Sequence, residues 1–196
     1  MMDTAELLKE FKKYRGDAIV IPGRGGKHWV PITDNEKMDA TLGDPAMGGH
    51  SGFGLGVALA QPDKKVVLFD SDGDIHMSMG MFATIAEQAP KNFFHFMLDN
   101  EIYATTGGQP VPNAKVVDYA AVAKANGYPK VASYSDLEDL KADLPDLLAS
   151  EGPIFVHMKV SPTVENTPIG QRKPWNNRDR VQVVDDLRES LTGSRK

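Results

Sequence analysis

The sequence predicts a doubly wound α/β fold, a mainly parallel sheet flanked by helices on both faces. Short apolar runs alternate along the chain with segments whose apolar residues recur at helical spacing. Because parallel strands need crossover connections, this alternation favours a parallel sheet. Several of the apolar runs end directly in acidic or glycine-containing turns. In such sheets the ligand crevice lies at the carboxyl ends of the strands, where these turns would meet.

Three helices and three strands are predicted in the first half of the chain. Apolar residues at helical spacing, such as Leu7, Leu8 and Phe11, indicate the helices, and short apolar runs indicate the strands. The elements are a helix at residues 3–14, a strand at 17–21, a helix at 52–60, a strand at 65–69, a helix at 75–89 and a strand at 93–98. Residues 23–48 are rich in Gly, Pro and Asp and show only weak periodicity.

The second half of the chain continues the alternation and ends in a helix. The predicted elements are a helix at residues 119–125, a strand at 128–132, a helix at 137–148, a strand at 154–160 and a last helix indicated by Val181, Val184, Leu187 and Leu191. Residues 160–180 between them are polar and contain proline. This segment is either a tail or an arm that lies over a site or a partner.

Length and composition suit one globular domain over residues 1–196, with 161–196 as a C-terminal arm and helix. The net charge of −5, without a dense Lys/Arg run, argues against nucleic acid as a partner. The absence of cysteine excludes disulfides, cysteine-ligated iron–sulfur clusters and thiol nucleophiles. No apolar run could span a bilayer, and the first residues lack a signal-peptide pattern. We therefore expect a cytoplasmic protein without membrane contact.

The strand predicted at 65–69 runs into the acidic turn Asp70-Ser71-Asp72-Gly73-Asp74, and a helix is expected from about Ile75. Asp72 can present a hard oxygen ligand at this edge of the sheet, and the backbone N–H groups at the start of the helix suit a diphosphate. Together they predict a Mg²⁺–phosphate site, because Mg²⁺ prefers oxygen ligands shared between protein and phosphates. The alternative is an ordinary capped helix with Asp74 as the N-cap residue.

The next predicted strand ends in Asp99-Asn100, which the same topology places at the same edge. Asn100 then offers an amide oxygen near the Asp72 carboxylate, and the loop at 101–109 contributes carbonyls and hydroxyls. The alternative for Asn100 is a turn residue that closes a strand.

Asp72-Gly73, followed one strand–helix–strand interval later by Asn100, resembles the metal-binding motif of thiamine diphosphate enzymes, Gly-Asp-Gly followed by Asn. The glycine-rich stretch 47–60 resembles the helix entry that precedes this motif in the family. Residues 84–86 and 99–109 resemble more closely the sulfopyruvate and phosphonopyruvate decarboxylases, and the likeness runs from about residue 17 to 160. It implies the diphosphate-binding type of thiamine diphosphate domain.

The resemblance implies a role for each matching position. Asp72 and Asn100 would hold Mg²⁺ through side-chain oxygens and Ile102 through its carbonyl, while Met47 would support the bent cofactor. The positions implied to contact thiamine diphosphate are Met47, Gly48, Gly49, Gly73, Asp74, Ile75, Asn100, Ile102 and Tyr103. The alternative for Met47 is a core or loop methionine.

Four residues depart from the family pattern. Ser71 stands where the first Gly of the motif is expected, and its Cβ restricts the backbone if the turn needs a positive φ. Asp74 stands where Ser or Ala is usual, and a carboxylate beside a diphosphate needs a compensating charge. His50 and His76 are candidate catalytic residues, as acid–base groups or substrate contacts. The alternative for each histidine is a polar residue at a turn or helix start.

In this family the cofactor lies between two types of domain, and the chain covers only one of them. The resemblance therefore implies a hetero-oligomer with a pyrimidine-binding, α-type subunit that carries the activating glutamate. The two-subunit sulfopyruvate decarboxylases are split in this way, and a chain of about this size is their β subunit. The implied reaction is the decarboxylation of a small 2-oxo acid.

A substrate with a sulfonate or phosphonate tail would suit the basic residues of the C-terminal arm. These are Arg172, Lys173, Arg178 and Arg180, with Arg24 and Lys27 as a second candidate pair. The alternative is a basic arm that faces solvent or a partner.

Other functions fit parts of the pattern. Acetolactate-type carboligation would use the same site, and 2-oxo acid oxidoreductases also contain a separate thiamine-binding chain, although the lack of cysteine counts against these. Residues 52–56 invite a nicotinamide-dependent dehydrogenase, but their spacing is not Gly-x-Gly-x-x-Gly and they precede a strand. A non-catalytic cofactor-binding module with this fold is the remaining alternative.

Overall fold

Seven strands occur in the described part of the chain, which in this computed structural model is residues 1–43 and 46–195. They are β1 (Ile19–Ile21), β2 (Val66–Ser71), β3 (Phe93–Asp99), β4 (Ile102–Tyr103), β5 (Gln109–Pro110), β6 (Lys130–Tyr134) and β7 (Ile154–Lys159). Five of them form one parallel sheet in the order β1-β2-β3-β7-β6, while β4 and β5 form a small antiparallel hairpin. The predicted parallel α/β sheet is confirmed.

Eight α-helices occur in the same described residues. They are α1 (Thr4–Lys12), α2 (Gly26–Trp29), α3 (His50–Ala60), α4 (Asp72–Met77), α5 (Met81–Gln88), α6 (Tyr119–Ala125), α7 (Leu137–Ala149) and α8 (Arg180–Thr192). None of the helices described is both long and apolar enough to cross a membrane.

Two apolar cores, one on each face of the sheet, hold the helices in place. On one face α1, α2 and α7 pack on an aromatic cluster in which the rings of Phe11 and Phe69 meet edge to face at 4.9 Å. On the other face α3, α5, α6 and part of α8 cover a cluster centred on Phe82 and Phe155, whose ring centroids are 5.0 Å apart. Helices therefore cover both faces, as expected of a doubly wound fold.

The predicted single helix at 75–89 is wrong, because the segment forms two helices. Helix α4 begins at Asp72, ends at Met77 and is followed by Ser78 in a non-helical conformation, and α5 begins after Gly80. Ser and Gly both favour such an interruption. Ile75 and Phe82, which lie on opposite sides of the break, are both buried in the same core. The break thus allows each short helix to direct an apolar side chain at the sheet.

The last helix forms where it is predicted, but only two of the four residues that indicated it pack on the core. Val183 is buried, whereas Val181 is 68% exposed and Val184 is 39% exposed. Leu187 and Leu191 are half-buried against the core. The contact face therefore repeats every fourth residue from Val183, as on one side of an α-helix.

The hairpin of β4 and β5 was not predicted from the sequence, because its two-residue strands are too short to show a periodic pattern.

The carboxyl edge of the sheet gathers the ends of β1, β2, β3 and β7, which are neighbours in the parallel register. Residues 161–179 return across this edge instead of leaving the molecule. Arg172 donates hydrogen bonds to the carbonyls of Thr105 and Thr167, and Asn176 donates to the carbonyl of Thr41. Of the two alternatives for this segment, an arm lying over the chain's own cleft is correct.

We predict that Gly54→Ala destabilises the protein, because α3 packs closely on β3 at this point. A Cβ on Gly54 would lie 2.9 Å from the Phe93 ring, which is fully buried. The expected loss is about 1–3 kcal/mol in the free energy of unfolding, measured by urea denaturation.

Gly56→Ala is the matched control on the same helix, since nothing described lies within 4 Å of its Cβ position. It should raise the free energy of unfolding by about 0.5–1 kcal/mol. Equal effects of the two substitutions would contradict the described packing of α3.

Candidate functional site

A cleft of about 630 Å³ opens at the carboxyl edge of the sheet. The segments that follow β1, β2, β3 and β7 line it, together with the arm at 161–179. The predicted site residues among its lining are Met47, His50, Gly73, Asp74, Asn100, Ile102 and Tyr103. The structure therefore brings residues from distant parts of the chain to one cavity, at the place predicted for a ligand crevice.

The buried carboxylate of Asp74, in the first turn of α4, joins three segments at the base of this cleft. Arg24 donates to it from Nε at 2.8 Å and from Nη2 at 3.0 Å, and the backbone N–H of Gly48 donates at 3.1 Å. His50 Nδ1 lies 3.3 Å from its Oδ2. Burial opposes ionisation, but His50 and Arg24 outweigh it and hold the pKa of Asp74 well below its ordinary value. Arg24 thus supplies the compensating charge that Asp74 needs.

Ser71, and not Asp74, is the N-cap residue of α4, so the capped-helix alternative named the wrong residue. The Ser71 hydroxyl accepts a hydrogen bond from the Asp74 N–H at 3.2 Å. Ser71 has φ −125° and ψ 158°, an extended conformation that any residue adopts. Its Cβ therefore causes no strain in this turn, and the substitution of the motif's first Gly is compatible with the backbone.

Glycine at position 73 leaves room for the ring of Tyr103. A Cβ there would lie 2.8 Å from the Tyr103 ring, which rests on the Gly73 backbone. Gly48 has a positive φ of 76°, which side chains rarely adopt. The contact with Tyr103 and the positive φ therefore explain why glycine occupies positions 73 and 48.

The carboxylate of Asp72 is buried without a charge partner. Its residue is 1% exposed, and neither oxygen has a well-formed hydrogen bond from any residue described. Burial and then the charge of Asp99 raise the pKa of Asp72 to about 7, against the opposing effect of the Gly73 and Asn100 amides. A bound proton or cation would relieve this arrangement. Gly73 lines the cleft, whereas Asp72 does not.

Asn100 and Ile102 lie in a tight turn at the end of β3. The side-chain oxygen of Asn100 accepts a hydrogen bond from the Ile102 N–H at 3.0 Å. Between them Glu101 has a left-handed φ of 64°, and its carbonyl accepts from the Val111 N–H at 2.9 Å. Asn100 thus follows the end of β3, and Asp72 follows the end of the neighbouring strand β2, as predicted. Asn100 also closes the turn after its strand, so the alternative of a turn residue holds as well.

The remaining predicted cofactor contacts divide between cleft and core. Met47 is 71% exposed and lines the cleft, which contradicts a core methionine and leaves the alternative of a loop methionine open. Gly49 follows at the start of α3, where a Cβ would lie 2.9 Å from the Ala46 carbonyl oxygen. Ile75 is 2% exposed and its side chain belongs to the core. Any contact of Ile75 with a ligand would therefore come from its backbone.

The two predicted histidines differ in position: His50 lines the cleft but is buried, whereas His76 does not line it. His50 is 1% exposed, and its Nε2 lies 3.1 Å from the Gly43 carbonyl oxygen. Burial lowers the pKa of His50, but the hydrogen bond with Asp74 and the charges of Asp70 and Asp74 outweigh it, so the pKa is raised. His76 is half-buried on α4 and does not line the cleft.

His50, Asp70 and Asp74 come close enough to resemble a metal site, with one potential ligand atom of each within 4.8 Å of the others. Protein groups already occupy these carboxylates. Ser51 Oγ donates to Asp70 at 2.6 Å, and His95 Nε2 lies 3.2 Å from the same oxygen. Asp74 is held by Arg24, as described above. The cluster thus differs from Asp72, which lacks such partners.

Sequence reasoning missed Asp99 and its partners as parts of the site. His157 Nε2 and Lys159 Nζ each lie 2.8 Å from Asp99 Oδ2. Burial alone would raise the pKa of Asp99, but these two groups lower it, so Asp99 stays anionic beside Asp72. The sequence did contain a signal for these partners, because His157 and Lys159 are polar residues at alternate positions of the otherwise apolar strand β7.

All four arginines among the basic residues named above, in the arm and in the pair of Arg24 and Lys27, are engaged within the chain. Arg172 donates to backbone carbonyls, Arg178 contacts Asp186 at 3.2 Å, and Arg24 holds Asp74. The fourth, Arg180, donates to the carbonyl of Leu42. The proposal that Arg178 and Arg180 bind a substrate tail is therefore not supported, since they fasten the arm and α8 outside the cleft lining.

We predict that Asp72→Asn raises the free energy of unfolding of the metal-free protein at pH 8. The unfolded chain ionises Asp72 near its ordinary pKa of 3.8, whereas the folded chain does so near 7. Burial of this carboxylate therefore costs stability progressively as the pH rises from about 4 to 7. The expected gain is about 2 kcal/mol at pH 8 and little at pH 4, measured by urea denaturation at both values.

Asp74→Asn is the control on the same helix and should act in the opposite direction. It leaves Arg24 and His50 without their carboxylate and should cost about 3 kcal/mol at pH 8. Loss of stability in both variants would contradict the account that Asp72 is an unpaired buried carboxylate and Asp74 a paired one.

Comparison with known proteins identifies the fold and the family. Residues 28–158 match the family model of the thiamine pyrophosphate enzyme, C-terminal TPP binding domain. An X-ray structure from Mycobacterium smegmatis, provisionally described as a thiamin diphosphate-dependent enzyme, superposes with a TM-score of 0.65. It is 20% identical in sequence, and the match covers 81% of this chain and 32% of that chain, so this likeness supports the fold alone.

Two types of curated relative are similar to this chain. The sulfopyruvate decarboxylase subunit beta of Methanothermobacter thermautotrophicus is 35% identical over 171 residues, which cover 86% of this chain and 88% of the relative. The phosphonopyruvate decarboxylase of Streptomyces viridochromogenes is 38% identical over 148 residues, which cover 74% of this chain and 36% of the relative. The chain spans about a third of the length of the phosphonopyruvate decarboxylases that it matches. The chain therefore belongs to the thiamine pyrophosphate enzymes and carries their C-terminal TPP-binding domain.

Proposed function

We propose that this chain is the diphosphate- and Mg²⁺-binding subunit of a two-chain, thiamine diphosphate-dependent 2-oxo acid decarboxylase. The match to a sulfopyruvate decarboxylase beta subunit over 88% of that protein's length carries the proposal. The substrate is a 2-oxo acid with a sulfonate or phosphonate tail. We choose this class of substrate because the relatives are named as phosphonopyruvate decarboxylase and sulfopyruvate decarboxylase.

The unpartnered carboxylate of Asp72 supports the assignment of the Mg²⁺ site. A buried anion that is not matched by a protein cation fits a bound divalent ion, and Asn100 at the next strand end offers an amide oxygen. The Ile102 carbonyl is the third protein ligand of the proposed set. All three donors are oxygens, as Mg²⁺ prefers. To expose Asp72 to the ion, Tyr103 and the hairpin of β4 and β5 must shift away from Gly73.

The cofactor lies in the cleft beside the proposed metal site. Gly73 and the backbone of Asp74 and Ile75 face the diphosphate, and Tyr103 covers it. Gly48 and Gly49 lie near the aminopyrimidine, and Met47 supports the bent cofactor from the cleft wall. Support for this arrangement comes from the Met47 side chain, which is exposed in the cleft and belongs to neither apolar cluster of the described residues.

When bound, thiamine diphosphate supplies a nucleophilic carbon and an electron sink for the cleavage of carbon dioxide from a 2-oxo acid. The residues of this chain position it. Arg24 and His50 neutralise Asp74, which fixes the Gly48 backbone next to α4. Because His50 is buried and held by two partners, we assign it to positioning in preference to acid–base catalysis. His76 has no role in this proposal, since it lies away from the cleft lining.

A partner subunit completes the proposed enzyme. The matched phosphonopyruvate decarboxylases contain nearly two thirds of their length outside the aligned region. In a two-chain enzyme that remainder corresponds to an α-type, pyrimidine-binding subunit that carries the activating glutamate. This chain alone should therefore be close to inactive, and activity should require a hetero-oligomer.

We predict that the complex of this chain with its partner subunit releases CO₂ from sulfopyruvate or phosphonopyruvate in the presence of thiamine diphosphate and Mg²⁺. Each chain alone should show less than about 1% of that rate, because the site is divided between the two chains. The measurement is CO₂ release with product analysis. Formation of a carbon–carbon bond product would favour the carboligase alternative, and an inactive complex that binds cofactor would favour a non-catalytic module.

We predict that Asp72→Ala abolishes Mg²⁺-dependent retention of thiamine diphosphate by the complex, because it removes the proposed carboxylate ligand. Retention is measured as cofactor remaining after gel filtration in Mg²⁺. Asp63→Ala is a control at an exposed aspartate before β2 and should retain the cofactor. Unchanged retention in Asp72→Ala would contradict the metal-site assignment.

We predict that Met47→Ala lowers kcat more than the affinity for thiamine diphosphate, because its role is to shape the cofactor after binding. A tenfold or larger fall in kcat is expected, with less than a threefold change in cofactor Kd, measured by steady-state kinetics and calorimetry. An unchanged kcat would leave Met47 as an ordinary surface methionine.

A further inference from the structure

The lining of the cleft carries more positive than negative charge. Four cationic side chains line the cavity, namely Arg24, Lys27, Arg172 and Lys173, against the two carboxylates of Asp74 and Glu165. Hydroxyl groups are also frequent there, and the Ser and Thr residues of the lining are Thr4, Ser71, Thr105, Thr106, Ser161, Thr163. Lysines and hydroxyls are groups that bind oxyanions.

The two arginines of the cleft lining already form hydrogen bonds within the protein. Arg24 makes two hydrogen bonds to Asp74, and Arg172 donates to the carbonyls of Thr105, Glu165 and Thr167. By contrast, Lys27 and Lys173 have no hydrogen bond or ion pair with any residue of 1–43 and 46–195.

Glu165 is an anion near Lys27, but no ion pair forms between it and either lysine in the described residues. Glu165 uses one carboxylate oxygen to accept from the Thr167 N–H at 2.9 Å, and this bond, with the charges of Arg172 and Lys27, lowers its pKa. Burial and then the charge of Lys27 lower the pKa of His28, so His28 adds no positive charge near pH 7. Two ammonium groups that line one cleft repel each other unless an anion lies between them.

Lys27 and Lys173 both line the cleft, and a contact between α2 and the arm brings their two segments together. Lys27 follows Gly26 in α2, and a Cβ on Gly26 would lie 2.5 Å from the Trp175 ring. Trp175 therefore packs directly on α2. Lys173 lies between this contact and the anchor of Arg172 on the hairpin loop. Contacts of the neighbouring residues Arg172 and Trp175 therefore hold the backbone of the arm in place on both sides of Lys173.

We propose that Lys27 and Lys173 bind the second anionic group of the substrate, the sulfonate or phosphonate at the end opposite its carboxylate. This inference rests on the proposed function and deepens it by naming the residues that select the substrate. They determine specificity and take no part in the chemical step. Pyruvate, which has no second anion, would gain nothing from them.

The first test is binding to this chain alone, without partner or turnover. The probe is 3-sulfopropionate, which carries both anionic groups and no ketone, compared with propionate. Trp175, 39% exposed in the cleft, reports binding by its fluorescence, while Trp29 is fully buried. Lys27→Met and Lys173→Met should each weaken 3-sulfopropionate binding about tenfold or more, with little change for propionate. Lys27→Arg keeps the charge and should retain most of the affinity.

Lys124→Met is the matched control, an exposed lysine on α6 outside the cleft lining, and should bind 3-sulfopropionate like the wild type. Equal affinity of wild type and the double variant Lys27→Met/Lys173→Met for 3-sulfopropionate would overturn the proposal. An equal loss of thiamine diphosphate binding in the double variant would also overturn it, since the lysines would then serve the diphosphate.

The second test uses the complex with its partner. The double variant should lose about a hundredfold in kcat/KM for sulfopyruvate or phosphonopyruvate and keep its kcat/KM for pyruvate within about threefold. An equal loss for both kinds of substrate would overturn the specificity role. A wild-type complex that decarboxylates neither, although 3-sulfopropionate binding depends on the lysines, would refute the proposed function and leave the anion site in place.

Discussion

The ion pair between the buried carboxylate of Asp74 and the partly exposed Arg24 is the interaction on which the cleft depends. It joins the turn after β1, the glycine-rich segment before α3 and the first turn of α4, because Gly48 donates its N–H to the same carboxylate. Removing Arg24 would leave the buried Asp74 carboxylate with His50, the Gly48 N–H and the Ser71 hydroxyl as partners, which is far more costly than the loss of an exposed pair. The ion pair therefore fixes the geometry of three loops that have little regular structure of their own.

The two aspartates of α4 show how neighbouring carboxylates acquire different roles from their surroundings. Asp74 is surrounded by donors and stays ionised, whereas Asp72 shares its surroundings with the anionic Asp99 and has no cation beside it. Such a pair of opposite pKa shifts is typical of functional sites. Here the protein satisfies one carboxylate itself and leaves the other for a ligand, which in our account is Mg²⁺.

The sequence was sufficient for features that depend on local patterns. The alternation of apolar runs predicted the parallel sheet and most elements, and the acidic turn after β2 predicted where the cleft would lie. Features that depend on contacts between distant residues were not predictable. Arg24 lies fifty residues from Asp74, and its pairing required the fold. Likewise, Val183 is buried on α8 because of what packs there, and the break at Ser78 reflects the separate burial of Ile75 and Phe82.

The most direct test is an X-ray structure of the complex grown with thiamine diphosphate and Mn²⁺ in place of Mg²⁺, with anomalous data to locate the metal. The account predicts one peak at roughly 2.0–2.3 Å from a carboxylate oxygen of Asp72, the side-chain oxygen of Asn100 and the carbonyl of Ile102. A peak among His50, Asp70 and Asp74, or a bound cofactor without a metal at Asp72, would contradict it.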